Sequence, residues 1–413
     1  MKTLIQNTNI VSSKEIFLGN VLVENEKIVK ISKLEKEEKL SPLEAQEADL
    51  VIDGSRKHLL PGMIDPHVHF RDPGFLHKED FCSGSRAAIA GGVTTVFDMP
   101  NTEPPTFTRQ NLEEKRKIAQ EKSFCNFAFF IGAGSDNLEE LQNCRNIAGI
   151  KIFMNLTTGN LLIKNDKVLE EIAKIKGKVF AFHAEGDTFA KAVNIFSKNH
   201  CPIYLCHVSL AHELEIIRKL KNENYPVFAE ITPHHLFLKK SLEETKKGFV
   251  MMKPLLSADK DRKSLWEAMQ EGFFDTLGSD HAPHTLDEKN TDNPPFGVPG
   301  VETSLPLLLS EAKKGAISLE YLVRINSENP ANIFKVKNKG FIKEGFDADL
   351  VLVDLAQKQK IVNENIFSKC SWTPYHNFEV SGKIEKTWVN GKLIFDKGKI
   401  MDEDFRGKEV EFF

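Results

Sequence analysis

The chain has 413 residues, 41% hydrophobic and 28% charged, and its 55 Lys and Arg against 59 Asp and Glu give a formal net charge of −4. So even a balance argues against nucleic acid or an anionic membrane surface as partner, and no stretch approaches the roughly 20 apolar residues of a membrane span. The six cysteines include no Cys-x-x-Cys pair and the N-terminal MKTLIQNTNIVSSKEIFLGN has no continuous apolar core, so free thiols in a reducing cytoplasm and no secretion signal are expected.

Residues 1–58 carry short alternating segments, TLIQNTNIV and NVLVENEKIVKIS, and end in DLVIDGSRKHL. From about residue 60 to residue 315 short apolar runs alternate with amphipathic ones. Eight strands are predicted, at 63–70, 94–99, 127–131, 150–154, 179–184, 203–208, 227–231 and 274–280. Between them lie helical patterns such as NLEEKRKIAQEK, NLEELQNCRNIA, DKVLEEIAKIKG, AHELEIIRKLKNE and DRKSLWEAMQEG. Residues 341–400 return to the style of the N-terminus, with DADLVLVDL and an Asn390-Gly391 hairpin signal. The expected architecture is α/β: a (β/α)8 TIM-like barrel over residues 59–340, with one small β-sandwich-like domain built from residues 1–58 and 341–413. Chemistry in a barrel of this kind sits at the C-terminal ends of the strands.

The string Pro66-His67-Val68-His69-Phe70-Arg71-Asp72-Pro73-Gly74 ends the first predicted strand. Side chains alternate along a strand, so His67 and His69 share a side and both reach one metal ion. Arg71 faces the same way and is suited to an anionic substrate group. A His-x-His pair by itself is a weak signal, since most such pairs are surface or core histidines. What strengthens it is the company at other strand ends: Lys151 on strand four, His183 on strand five, His207 on strand six and Asp280 on strand eight. Imidazole and carboxylate suit zinc without excluding manganese, cobalt or iron. Two ions about 3.5–4 Å apart can share a hydroxide and clamp a carbonyl. Lys151, flanked by Ile150, Ile152 and Phe153, reads either as a barrel lysine paired with a carboxylate or as a desolvated amine that takes up carbon dioxide. In the second case its carbamate bridges two metals. His234 and His235 read as structural or supporting groups, Cys206 and Glu230 as buried residues or, alternatively, support for an extra metal, and His58, His200 and His376 as surface groups.

The strings HVHFRDPG, DMPNTEPPT, IKIFMN, AFHAE, LCHVS, TPHHLFL, SDHAPHTLDEK and PGVETSLPLLL resemble long-form dihydroorotases of the cyclic amidohydrolase superfamily, over almost the entire chain. The resemblance implies reversible cyclisation of N-carbamoyl-L-aspartate to L-dihydroorotate plus water, in de novo pyrimidine biosynthesis. It implies two zinc ions: one held by His67, His69 and Asp280, the other by His183 and His207, with carboxylated Lys151 bridging them. A bridging hydroxide would attack the ring amide, and Asp280 would double as proton shuttle. Arg71, Asn101 and His284 would hold the substrate carboxylate. Lys253 stands where relatives often carry Asn or Arg and supplies a cation without a planar fork. Asp72 replaces a Glu common in the family. Thr157, Thr158 and Gly159 fall where relatives carry a flap. A homodimer is also implied.

Two alternatives remain at this level. Allantoinases and dihydropyrimidinases share the metal core, and only Arg71 and Asn101 separate them from a carboxylate-binding enzyme. A non-catalytic scaffold associated with aspartate transcarbamoylase would characteristically lose metal ligands, whereas here all six are present.

Overall fold

The computed structural model describes residues 1–34, 48–156 and 161–413; Thr157, Thr158 and Gly159 lie outside them. All eight predicted barrel strands are present, in sequential parallel order: Met63–Val68, Val93–Asp98, Asn126–Gly132, Gly149–Phe153, Phe180–His183, Ile203–Leu205, Val227–Ile231 and Thr276–Leu277. The eighth is the shortest, and the seam to the first is closed by the residues that follow it. His69 N donates to His281 O at 2.8 Å, and Ser279 N donates to the Asp65 carboxylate at 3.0 Å.

The strands are apolar on both faces because both faces are covered. Ala128 and Phe130 point into the barrel, whereas Phe127, Phe129 and Ile131 pack outward under the helices. The barrel floor centres on Phe334, whose ring lies 5.1 Å from Phe97, 5.9 Å from Phe130 and 5.0 Å from Tyr204. Strand one has the same floor residue, Ile64, yet His67 and His69 occupy the opposite parity. A register slip between Asp65 and Val68 makes the switch. The regular strand ends at Val68 rather than at residue 70, and Arg71 adopts φ 64°.

The helices follow their capping chemistry. Arg109–Lys122 starts at Thr108, whose hydroxyl accepts from Asn111 N, and Phe81–Ala90 starts at a capping box on Asp80. The helix predicted over NLEELQNCRNIA is shorter, Leu138–Asn143. Cys144 is extended (ψ 137°) and Asn146 has φ 49°, which turns Ile147 and Ala148 toward strand four.

The chain ends form one nine-stranded mixed sheet. Lys2–Val11, Ile16–Glu24, Lys27–Lys33, Leu50–Asp53 and His58–Pro61 come from the N-terminal side; Leu350–Lys360, Glu379–Val389, Lys392–Asp396 and Lys399–Ile400 come from the other. His58–Pro61 joins the two groups, pairing with Asn9–Ile10 on one edge and Leu350–Val353 on the other. Asn390 (φ 48°) and Gly391 (φ 76°) make the expected hairpin turn, where Gly also avoids a clash with Asn25 O. The last residues leave this sheet: Glu409 bridges to Phe127, Phe412 bridges to Val336, and Val410 joins the floor cluster.

Truncating the central floor ring tests this core. Phe334→Ala should cost about 3–5 kcal/mol of stability, read from the midpoint of denaturant unfolding; an unchanged midpoint contradicts the packing.

Candidate metal centre and substrate cavity

At the C-terminal end of the barrel one cavity is lined by His67, His69, Arg71, Asn101, Lys151, His183, His207, Lys253 and Asp280, together with Phe153, Ala282, Phe296 and Gly297. Residues from six strand ends and two loops therefore converge. His284 does not line it; it is fully buried behind Arg71.

His69 Nε2 lies 3.1 Å from Asp280 Oδ1, and His67 Nε2 lies 3.4 Å from the same oxygen. His183 Nδ1 is 2.9 Å from His207 Nε2. The His67 and His207 rings are 5.5 Å apart, which joins the two groups. Burial disfavours charge on the histidines, and nearby cations add to this. His69 is lowered to about 3 despite Asp280, and His183 and His207 are also held low, His207 by His183 and Lys151. His67 goes the other way: burial opposes its charge, but Glu230 and Asp280 outweigh it and raise it to about 10. Burial alone would push the Asp280 carboxyl up; His67, His69 and His207 outweigh burial and hold it well below the usual carboxylate range.

The donor set fits divalent metal. The ligand atoms of His67, His69 and Asp280 lie within 4.8 Å of one another. His207 Nδ1 is buried with no hydrogen-bond partner among the described residues, and His183 Nε2 faces the Glu185 carboxylate at 3.4 Å. Neutral His69, His183 and His207 and an ionised Asp280 are in the protonation states a metal requires, whereas His67, beside Glu230, has to give up a proton to bind one. Lys151 Nζ contacts Cys206 Sγ at 3.0 Å and sits 5.3 Å from the Phe153 ring centre. Among the described residues no carboxylate pairs with it.

Glu230, read from sequence as a buried residue or as support for an extra metal, holds the centre together. Oε1 accepts from His67 Nδ1 and from His207 N, both at 2.8 Å, and Oε2 accepts from the Tyr204 hydroxyl at 2.7 Å. The signal available in sequence was an ionisable residue in an otherwise apolar strand, Val227–Ile231. Asp98 does similar work beside Arg71: it accepts from Phe70 N at 2.7 Å and pairs with fully buried Lys115 at 2.5 Å. His235 is structural as expected, bonded to Thr232 and to Pro254 O. His200 is exposed, whereas His58 and His376 are half-buried rather than surface groups; His376 Nδ1 accepts from Asn363 N.

On the substrate side, Arg71 is buried, with Nε donating to Pro283 O at 3.2 Å. Among the described residues no carboxylate pairs with it. His284 Nε2 lies 2.9 Å from Phe296 O and 3.1 Å from Arg71 Nη2, while Nδ1 lies 3.1 Å from Lys78 Nζ. Burial, with Arg71 and Lys78 adjacent, keeps His284 neutral. A neutral ring carries one proton, and placing it on Nε2 satisfies Phe296 O and leaves Nδ1 to accept from Lys78. Arg71 Nη2 then keeps its protons for another acceptor. Asn101 Oδ1 lies 2.5 Å from His69 Nδ1, which leaves its amide NH2 as a donor. Lys253 Nζ lies 5.2 Å from the Phe296 ring centre.

A profile of the amidohydrolase family matches residues 58–394, and the chain belongs to that family. Among characterised proteins it is 36% identical to dihydroorotase of Pyrococcus horikoshii over 415 residues, covering 96% of this chain and 93% of that one. It is 34% identical to dihydroorotase of Methanosarcina acetivorans, covering 98% and 95%. It also matches multifunctional protein CAD of Squalus acanthias, 37% identical over 366 residues, 87% of this chain but 16% of that protein. Within the amidohydrolases the chain therefore groups with the dihydroorotases. Similar solved structures are L-hydantoinase (dihydropyrimidinase) from Arthrobacter aurescens, with TM-score 0.92, 28% identity and 99% of both chains covered, and dihydropyrimidinase from Brevibacillus agri, with TM-score 0.89, 26% identity and 100% of both.

Because Glu230 orients His67 and the backbone of His207, Glu230→Gln should lower metal affinity about 10–100-fold, measured by competition with a chromogenic chelator. Unaltered affinity contradicts that role.

Proposed function

We propose that this chain interconverts N-carbamoyl-L-aspartate and L-dihydroorotate plus water, as a cytoplasmic enzyme of pyrimidine synthesis. The barrel, residues 59–340, is its catalytic domain, and residues 1–58 and 341–413 form the supporting β-domain, except that the strand His58–Pro61 belongs to the β-sheet and the residues from Glu409 on pack on the barrel floor. The observation that carries the reading is Arg71: a buried guanidinium at the cavity, with no carboxylate among the described residues to pair with it. A buried cation calls for an anion, and the substrate carboxylate supplies one. A neutral ring, as in hydantoin or dihydrouracil hydrolysis, would leave that guanidinium without a direct anionic partner, its charge balanced only at longer range by Asp280 and Asp98.

In this reading His67, His69 and Asp280 would hold one zinc ion, His183 and His207 would hold a second, and Lys151, as its carbamate, would be a ligand for both. When bound, the ions would supply Lewis acidity and a water acidified to about neutral pH. The pocket around Lys151, without a carboxylate partner, supports its carbamate role. Arg71, the Asn101 amide and Lys253 bind and orient the substrate carboxylate, and His284 braces this group through Phe296. Asp280, ionised at neutral pH, receives the proton of the attacking water and returns it to the departing ring nitrogen. A homodimer, and an association with aspartate transcarbamoylase, complete the proposal; the likeness to part of a multifunctional protein supports the latter.

Purified protein supplied with zinc and bicarbonate should turn over carbamoyl aspartate at mildly acidic pH and dihydroorotate at alkaline pH, and leave allantoin and dihydrouracil untouched. Turnover of the neutral rings alone overturns the assignment. Asp280→Asn should cost about 10²–10⁴-fold in kcat, and near-normal turnover rejects the shuttle. Arg71→Ala should raise KM for dihydroorotate about tenfold or more; an unchanged KM rejects carboxylate binding. Lys151→Ala should lose metal, and a full complement in an active variant rejects the carbamate.

A further inference from the structure

The motif SDHAPHTLDEK ends in Lys289, to which the reaction above assigns no task. Lys289 is 1% exposed. Its ammonium donates to three backbone carbonyls: Met251 O at 3.0 Å, Pro295 O at 2.8 Å and Gly297 O at 2.8 Å. An ammonium is the one side-chain group that offers three protons from a single atom, one here for each carbonyl; burial, with Arg71 adjacent, lowers the amine to about 7, so all three bonds are complete below neutral pH. The three carbonyls belong to two separate segments, which also bond directly, Gly297 N donating to Met251 O at 2.9 Å. Each segment carries cavity wall. Phe296 and Gly297 line the cavity, and Lys253 lies two residues beyond Met251. Between the two bonded carbonyls of 295 and 297 sits Phe296, whose own carbonyl anchors His284 beside Arg71. Lys289 itself is tied to the His284 segment by the short helix Leu286–Lys289, capped by Thr285.

We propose that Lys289 is a positioning residue for substrate binding: its three bonds fix Phe296 and Lys253 as one wall of the cavity and, through Phe296, hold His284 in its place behind Arg71. It touches no candidate metal ligand, so its loss separates binding from metal chemistry. The proposal rests on the carboxylate-pocket reading above.

The test compares wild type, Lys289→Met and Lys289→Gln as full-length, zinc-loaded protein at mildly acidic pH, where Lys289 is an ammonium, reading kcat, KM for carbamoyl aspartate and bound zinc. KM should rise about tenfold or more in both variants, while kcat stays within about threefold and zinc content is unchanged. KM within about twofold of wild type overturns the proposal, as does a joint loss of zinc and kcat at constant KM. Lys289→Gln keeps two donors and carries the test if Lys289→Met fails to fold; failure of both to fold assigns Lys289 to the core alone and also overturns it. If wild type turns over a neutral ring instead of dihydroorotate, the carboxylate reading fails by itself. The same KM comparison on that ring then decides for or against Lys289, because Phe296 and Gly297 line the cavity for either substrate.

Discussion

The buried carboxylate of Glu230 is the constraint on which the centre depends. Removing a carboxylate from water costs several kcal/mol unless its oxygens are matched. Here they are matched by an imidazole, a backbone amide and a phenol drawn from strands one and six. Those bonds fix the tilt of His67 and the chain position of His207. They also reach downward, because Tyr204 carries its hydroxyl above the aromatic floor and shares it with Thr276 on strand eight at 2.7 Å. Four strands are thereby tied at one point between an apolar floor and a polar rim.

The barrel and its strand-end chemistry were legible in the sequence because both rest on local pattern. Apolar runs of strand length alternate with helical runs, and ionisable residues sit where those runs end. The positions of His67 and His69 relative to the floor were less so. Alternation counted from Ile64 would send them outward, and the register slip near Asp65 that corrects it depends on pairing with a strand thirty residues away. Glu230 was undervalued for a related reason: a lone Glu in a strand says nothing about which partners the fold will bring to it. His284 needed tertiary information too, since its place behind Arg71 depends on two cations and a carbonyl from three other segments. The helix after strand three was overextended because its polar-apolar rhythm continues past Cys144, where the backbone leaves the helix to feed strand four.

Sequence and shape point to different members of one family. The full-length relatives are dihydroorotases, whereas the similar solved structures are hydantoinases and dihydropyrimidinases. The two findings agree once fold and specificity are separated. A barrel with histidines at its strand ends serves any cyclic amide, so backbone similarity follows the shared chemistry. In the function proposed above, discrimination among rings falls to a few groups outside the candidate metal ligands, among them the buried Arg71.

The tail that seals the barrel floor bears on the order in which this molecule assembles. Glu409 pairs beside Phe127, and Val410 packs among side chains from strands one, two, three, five and six. During synthesis those strands are made well before the residues that close them from below. The nascent barrel therefore stands for a time with an open, aromatic underside, the kind of surface chaperones hold. The floor is completed by residues that follow every barrel strand in the chain.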